Sequence, residues 1–402
     1  MQPPALAPLT RAFTRIGLLS FGGPVAQIAV MHEELVERRG WIDEALFSRG
    51  LAFCMVLPGP EAMQMCTYAG WRLRGVPGGL IAGALFVLPG AVFMAVVTLA
   101  YLSWGQTPFV EDAFLGIKAA VIVVVARALA RMARKTLAGV QAWGLAVLAF
   151  AALLFAVPFP AVVLAAGLFG YLTANGRGGL EPIGWRSTLG TAALWTALWL
   201  MPLAILYATG TQPLADITAF FSRLAAVSFG GAYAALAWMA QALVETQGWL
   251  TPEQMVDGLG LAETTPGPLV LVTQFAGMVA ASPGGTGAAL IAGGFTLWAI
   301  FIPCFGLVFT LAPHLEAITA HPRLAAALKA VSAAIVGVIA SLALYFARNF
   351  FFSDGSLSPD SLSLPALALS AIAALCLLAA RLSLPLTLAL LAIAGALAGT
   401  LW

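Results

Sequence analysis

The apolar positions of this chain fall in long continuous runs rather than in stripes. Stretches long enough for a membrane helix, roughly 20 residues, lie in 75–110, 187–215, 282–314, 330–347, 361–380 and 382–402. Two more lie in 138–176, separated by Pro158-Phe159-Pro160. Segment 111–134 also predicts a span, although Lys118 and Arg127 fall inside it. Barrel strands would alternate apolar and polar side chains, and these runs do not, so the spans are expected to be helical. Residues 9–72 and 217–281 follow a different pattern. There the apolar pieces run only 10–15 residues between glycines and prolines.

The two interrupted regions are copies of one another. Phe13-Thr14-Arg15-Ile16-Gly17-Leu18-Leu19-Ser20-Phe21-Gly22-Gly23 matches Phe221-Ser222-Arg223-Leu224-Ala225-Ala226-Val227-Ser228-Phe229-Gly230-Gly231. At the same offset Gly40-Trp41 matches Gly248-Trp249, and Pro58-Gly59-Pro60 matches Pro266-Gly267-Pro268. Further on, Leu80-Ile81-Ala82-Gly83 recurs as Leu290-Ile291-Ala292-Gly293, and Lys118-Ala119 as Lys329-Ala330. Agreement at nearly one spacing over motifs this far apart marks an internal duplication.

Composition narrows the solvent. Of 402 residues 61% are hydrophobic and 9% charged, whereas a soluble domain carries about a quarter charged residues. The surface left over is for lipid, which requires every backbone group to be paired internally. Net charge is +2 without a basic run that would track phosphates, so nucleic acid is not an expected partner. Cys54, Cys66, Cys304 and Cys376 are scattered and do not cluster with His32, His314 and His321, which predicts no metal site and no cofactor. Met1–Thr14 lacks a cleavable-signal pattern.

Basic residues orient the halves, because Lys and Arg favour the cytoplasmic side. Arg11, Arg15, Arg38, Arg39, Arg72, Arg74, Arg131, Arg134 and Lys135 fall at ends placed inside, and Arg177 and Arg186 come inside again. The helix near 188–208 then carries the chain out. Segment 238–254, the counterpart of the Arg38-Arg39 region, holds no Lys or Arg, as inversion predicts, with Arg348 an outside exception. The expected fold is an all-α polytopic membrane protein of two inverted-topology repeats with re-entrant helical hairpins, a plan of secondary transporters. Its expected parts are a tail (1–8), a first repeat (9–175), a linker with one transmembrane helix (176–216) and an inverted second repeat (217–402).

The breaks carry the candidate chemistry. Proline and glycine at Ser-Phe-Gly-Gly and Pro-Gly-Pro disfavour a continuous helix, and non-helical backbone at membrane depth must line a cavity or be buried in protein. New helices are expected to start near Pro24, Pro60, Gly231 and Pro268. Each start aims free N–H groups at the midplane with roughly half a positive charge, so four give about two, a complement to a divalent oxyanion. The other reading is ordinary kinks packed between helices.

At these motifs the sequence resembles the chromate ion transporter (CHR) family in its long two-domain form, over nearly the whole chain. The resemblance is carried by Phe21-Gly22-Gly23-Pro24, Gly40-Trp41, Leu57-Pro58-Gly59-Pro60-Glu61, Tyr68-Ala69-Gly70-Trp71 and Leu88-Pro89-Gly90. In the second half it is carried by Ser228-Phe229-Gly230-Gly231, Ala262-Glu263-Thr264-Thr265-Pro266-Gly267-Pro268 and Thr273-Gln274-Phe275. It implies a multi-pass carrier of the bacterial inner membrane that exports chromate, with sulfate the natural competitor. Ala232 stands where Pro24 has its mate, so the two halves need not be equivalent.

Individual residues each admit two readings. Arg15 and Arg223, recurring before the glycine break, can contact the oxyanion or snorkel to headgroups. Lys118 and Lys329, within apolar spans, can serve the substrate or pair structurally. Glu61 and Glu263 can complement a helix dipole, or take up a proton during transport and couple the anion to it. Ser20, Ser228, Thr264, Thr265, Gln64 and Gln274 can replace the anion's hydration shell, or cap and tie helices. Trp41 and Trp249 are expected at the membrane interface. Residues 32–44, with His32, Glu33, Glu34, Glu37, Arg38, Arg39, Asp43 and Glu44, are expected in a hydrated cytoplasmic connection.

The expected function is a secondary anion carrier in membrane lipid, working by alternating access on ion or anion gradients, with the substrate held where the broken helices meet and a homodimer compatible with the sequence. A sulfate or other small-oxyanion carrier and a passive anion channel are the alternatives. An intramembrane enzyme is disfavoured because HExxH, GxSxG and paired histidines are absent from the sequence.

Overall fold

Among its described residues this computed structural model has eight helices in a fixed order, the two arms of α4 counted separately, then a linking helix and the same order again. It describes residues 4–21, 23–105, 107–174, 185–229, 232–315, 321–352 and 359–399. The first series is α1 (Leu6–Leu19), α2 (Gly23–His32), α3 (Glu44–Cys54), α4 (Glu61–Trp104, two helices joined at a break), α5 (Pro108–Thr136), α6 (Val140–Leu154) and α7 (Phe159–Thr173). The linking helix is α8 (Trp185–Ala208). The second series is α9 (Leu214–Val227), α10 (Ala232–Gln241), α11 (Pro252–Thr264), α12 (Val272–Ala281), α13 (Thr286–Leu311), α14 (Pro322–Phe351), α15 (Leu364–Ala374) and α16 (Leu384–Gly399). Details recur too. A π-helical turn ends α2 at Glu33–Arg38 and α10 at Ala242–Thr246, and left-handed Gly40 and Gly248 follow them. Local signals set the starts: Asp43 accepts from the Leu46 amide ahead of α3, and Thr251 and Gln254 form a capping box around Pro252 at α11.

The chain reverses inside α4 at Arg74–Gly75, where Gly75 takes φ +64°. The two arms approach so closely that a Cβ on Gly70 would strike the Gly78 carbonyl, and one on Gly78 the Gly70 carbonyl. The second half repeats the hairpin with α12, Gly285 (φ +90°) and α13, where Gly277 lies against Thr296. In lipid, helices associate through close van der Waals packing rather than hydrophobic expulsion, so glycine at these contacts is what permits the hairpin.

Corresponding helices meet antiparallel. The second arm of α4 packs on α13 with Gly79 against Phe309 and Gly83 against Phe305. The halves also exchange partners: α5 is covered by α15 and α16, and α14 by α6 and α7. Gly116 of α5 sits on the Leu391 backbone, and Gly337 of α14 on the Ala146 backbone.

Among the described residues, five helical segments contain a run long and apolar enough to cross a membrane: 61–104, which includes the reversal at 74–75, and 108–136, 188–208, 286–314 and 322–351. Four of the expected spans come out shorter. α6 and α7 have 15 residues each, α15 has 11 with a five-residue π-helical turn after it, and α16 has 16, so none rises more than about 24 Å at 1.5 Å per residue. That falls short of the ~30 Å hydrocarbon thickness. The chain turns at Ala156 and Arg381, both left-handed, so α6–α7 and α15–α16 form short hairpins against the long helices.

Candidate functional site

Helices do begin at the expected breaks. α2 starts at Gly23-Pro24, α4 at Glu61 after Pro60, and α10 at Ala232. After Pro268 a 3-10 turn, Leu269–Leu271, leads into α12. Gly22, Gly230 and Gly231 lie outside the described residues, as do Arg177 and the expected boundary near 175.

The breaks are tied across the halves. The Gly59 amide donates to the Ser228 carbonyl at 2.9 Å, and the Gly267 amide donates to the Ser20 carbonyl at 2.8 Å. Gln64 Nε2 donates to the Pro58 carbonyl at 2.7 Å, and buried Gln27 Nε2 to the Gly267 carbonyl at 2.7 Å. Polar backbone freed by glycine and proline is thus paired inside the protein, as lipid demands.

A cavity of about 370 Å³ opens where three of the four helix starts converge. Pro24 of α2, Gly59 and Glu61 at the head of α4, and Ala232 and Tyr233 of α10 line it. Opposite them stand Arg131 and Lys135 near the end of α5 and Lys329 near the start of α14. Three cations against one carboxylate, with roughly half a positive charge from each helix start, make the wall electropositive. The fourth start lies elsewhere. A Cβ on Gly90 would strike the Pro266 carbonyl, and one on Gly267 would press on Phe86, so that break is closed by packing on α4.

Pro24, Gly59, Glu61 and Lys329 are therefore brought together. The remaining candidates are engaged otherwise. Arg15 Nε lies 3.4 Å from Glu34, a carboxylate 3% exposed that also receives Arg38 at 2.6 Å and Arg39 at 2.7 Å. The hydrated connection thus contains a buried carboxylate neutralised by three guanidiniums, and Arg39 also covers the Trp41 ring. Exposed Arg223 donates to the Ala219 carbonyl of its own helix. Ser20, Ser228, Thr264 and Thr265 donate their hydroxyl protons to helix carbonyls one turn back. Such bonds leave no hydroxyl proton for an anion in this conformation. Gln274 Nε2 donates to the Ala91 carbonyl at 3.0 Å, so it ties α12 to α4.

Buried Glu263 accepts a 2.7 Å hydrogen bond from Tyr233 Oη, whose residue lines the cavity. Lys118 lies 3.3 Å from Asp257, which accepts from Tyr101 Oη at 2.9 Å. Sequence reasoning used Arg131 and Lys135 only for orientation and passed over Tyr233, Asp257, Tyr101 and Gln27. Asp257 carried a legible signal, being a carboxylate within an apolar piece. Arg131 and Lys135 carried another, because a spacing of four places them on one helix face.

Interrupted helices meeting at a cationic cavity, with five bilayer-length helical segments among the described residues, define a polytopic α-helical membrane protein of the transporter class. The chain belongs to the chromate transporter family, whose model matches it twice, over residues 7–171 and 215–400. It is 34% identical over 357 residues to a chromate transport protein of Pseudomonas aeruginosa, covering 87% of this chain and 83% of the relative. A probable chromate transport protein of Synechococcus elongatus is 32% identical (86% and 85% covered), and a chromate transport protein of Cupriavidus metallidurans 30% (86% and 83%). No solved structure matches it.

Proposed function

We propose that this protein is a secondary carrier that exports chromate across the bacterial inner membrane by alternating access. Sulfate, of the same shape and charge, is the competing substrate. The carrying observation is the electropositive cavity, where three helix N-termini face Arg131, Lys135 and Lys329. Helix starts hold oxyanions through free N–H groups, and guanidinium adds paired donors at matching spacing. The names of the relatives supply the substrate class. The antiparallel packing of α4 on α13 supports an inverted arrangement of the two repeats, spanning 9–175 and 217–402 with a linker between. Inverted repeats supply two mirrored access states around one site. On this reading the cavity faces the cytoplasm, because Arg131 and Lys135, from the basic end of α5, line it.

Counterflow into liposomes carrying the purified protein tests the reading, with chromate, sulfate, molybdate and phosphate competing. Saturable flux that internal chromate accelerates is the expected result. Flux that neither saturates nor responds to internal chromate would make the protein a channel.

A further inference from the structure

Lys118 and Asp257 join the two halves on one side, and Lys329, the repeat mate of Lys118, lines the open cavity on the other. The pair joins α5 of the first half to α11 of the second, with the side chains 17% and 6% exposed. Tyr101 of α4 completes the contact. The duplication assigns each partner a mate. Lys118 corresponds to Lys329. Between the matched Gly40-Trp41 and Pro58-Gly59-Pro60 the alignment runs without a gap, so Phe47-Ser48-Arg49-Gly50-Leu51 meets Met255-Val256-Asp257-Gly258-Leu259. The structure supports this register, since Gly50 abuts Tyr68 of α4 as Gly258 abuts Phe275 of α12. The mate of Asp257 is Arg49. The residues that would meet in the mirror contact are therefore two cations, where Lys118 and Asp257 are a cation and an anion.

The two halves also differ in conformation. α11 is packed on α5. The mirror elements are held apart, because the cavity runs between Cys54 and Met55 at the end of α3 and Lys329 and Ser332 of α14. Arg49 and Lys329 are both exposed.

We propose that Lys118–Asp257 latches one gate shut, and that the mirror gate closes only over a bound dianion, which Arg49 and Lys329 then grip together. The proposal rests on the alternating-access reading and names Arg49 as a further substrate contact of the occluded state. Without an anion, closure would press two cations together in a partly desolvated space, where like charges repel strongly. A tetrahedral dianion between them turns that repulsion into two attractions. The latched gate needs no such ligand, so a carrier without anion is expected to rest with its cavity open.

The test reads gate closure directly in the full-length protein in liposomes. Ser332→Cys is introduced, and its modification by a membrane-impermeant maleimide is followed above the rate of the native cysteines. With Arg49 in place, sulfate or chromate slows modification several-fold, and nitrate does not. With Arg49→Asp, which pairs with Lys329, modification is slow without any anion and sulfate adds nothing. Combining Arg49→Asp with Lys329→Asp restores fast modification, which a misfolded Arg49→Asp chain would not do. If Arg49→Asp leaves both the rate and the sulfate protection as they were, the gate proposal is overturned while the carrier reading stands. If sulfate and chromate protect Ser332→Cys in no variant, both fall.

Discussion

The Gly59 amide reaches the Ser228 carbonyl across the boundary between the two halves, at 2.9 Å. Its mirror bond, Gly267 to Ser20 at 2.8 Å, does the same from the other side. Each half thus satisfies the backbone that the other half's break exposes. An unpaired peptide group in hydrocarbon costs several kcal/mol, so neither break is tolerable alone. This reciprocity explains why Pro-Gly-Pro and Ser-Phe recur together, and it fixes the helix starts that face the cavity.

Glycine is required at 59 for conformation and for space. Its φ is +114°, and a Cβ there would come 2.7 Å from Cys304 Sγ and 3.0 Å from Gln64 Nε2. Gly59→Ala should cost about 1–3 kcal/mol of stability and lose transport. Gly248→Ala, also left-handed but facing open space, should cost less. Thermal melting of the detergent-solubilised variants checks the ranking.

Breaking the Lys118–Asp257 pair should be costly, since stranding one buried charge typically costs 3–5 kcal/mol. Lys118→Met and Asp257→Asn should each lower the melting temperature. The double variant should recover part of the loss, because no charge is left unpaired. A double variant as unstable as the sum of the singles would show that the two residues are not coupled.

The cavity cations should set substrate affinity. A hydrogen bond to a charged group contributes about 1.5–3 kcal/mol, so Arg131→Gln or Lys329→Gln should raise the half-saturating chromate concentration roughly 10–100-fold. Arg223→Gln, whose guanidinium bonds its own helix, should leave it unchanged. Concentration-dependent counterflow separates the two outcomes.

Proton coupling, if carried by carboxylates at the site, belongs to Glu61 on the cavity wall and Glu263 behind Tyr233. An ionised carboxylate there repels the dianion, so protonation should accompany anion binding. Glu263→Gln and Glu61→Gln should therefore weaken the dependence of uptake on an imposed pH gradient. Unchanged dependence in both single variants and the double variant removes the idea.

Outside the membrane spans, His32 bridges Glu44 at 2.6 Å and Glu37 at 3.2 Å. Its hydrogen bond to Glu44 outweighs the opposing effect of burial and raises its pKa above the ordinary 6.5. The stabilisation is fully present below that unfolded value and is lost as the pH climbs through the raised folded one. Melting temperature should fall over this window, and His32→Gln should flatten the fall.

Much of this was legible in the sequence, because lipid leaves few solutions. Apolar runs dictated helices, and the paired Ser-Phe-Gly-Gly and Pro-Gly-Pro motifs announced where new helices start. What single positions could not reveal was partnership. Arg15 looks as suited to an anion as Arg131, yet Glu34 lies buried one helix away and takes it. Lys118 and Lys329 recur as equals in the chain, but among the described residues only Lys118 pairs with a carboxylate, Asp257, whose counterpart in the other copy is Arg49. Nor did apolar length distinguish α5 from the α15–α16 hairpin that covers it, since both regions hold long apolar runs.

The central claim is that a tetrahedral dianion sits where interrupted helices of both halves meet three basic side chains. Anomalous diffraction at the chromium edge, from crystals grown with chromate, locates the metal without assumption about its surroundings. The account predicts a peak between the α2, α4 and α10 starts and the Arg131–Lys135–Lys329 face, lost in Arg131→Gln crystals. A peak confined to another region of the protein, at chromate concentrations that saturate transport, would contradict it.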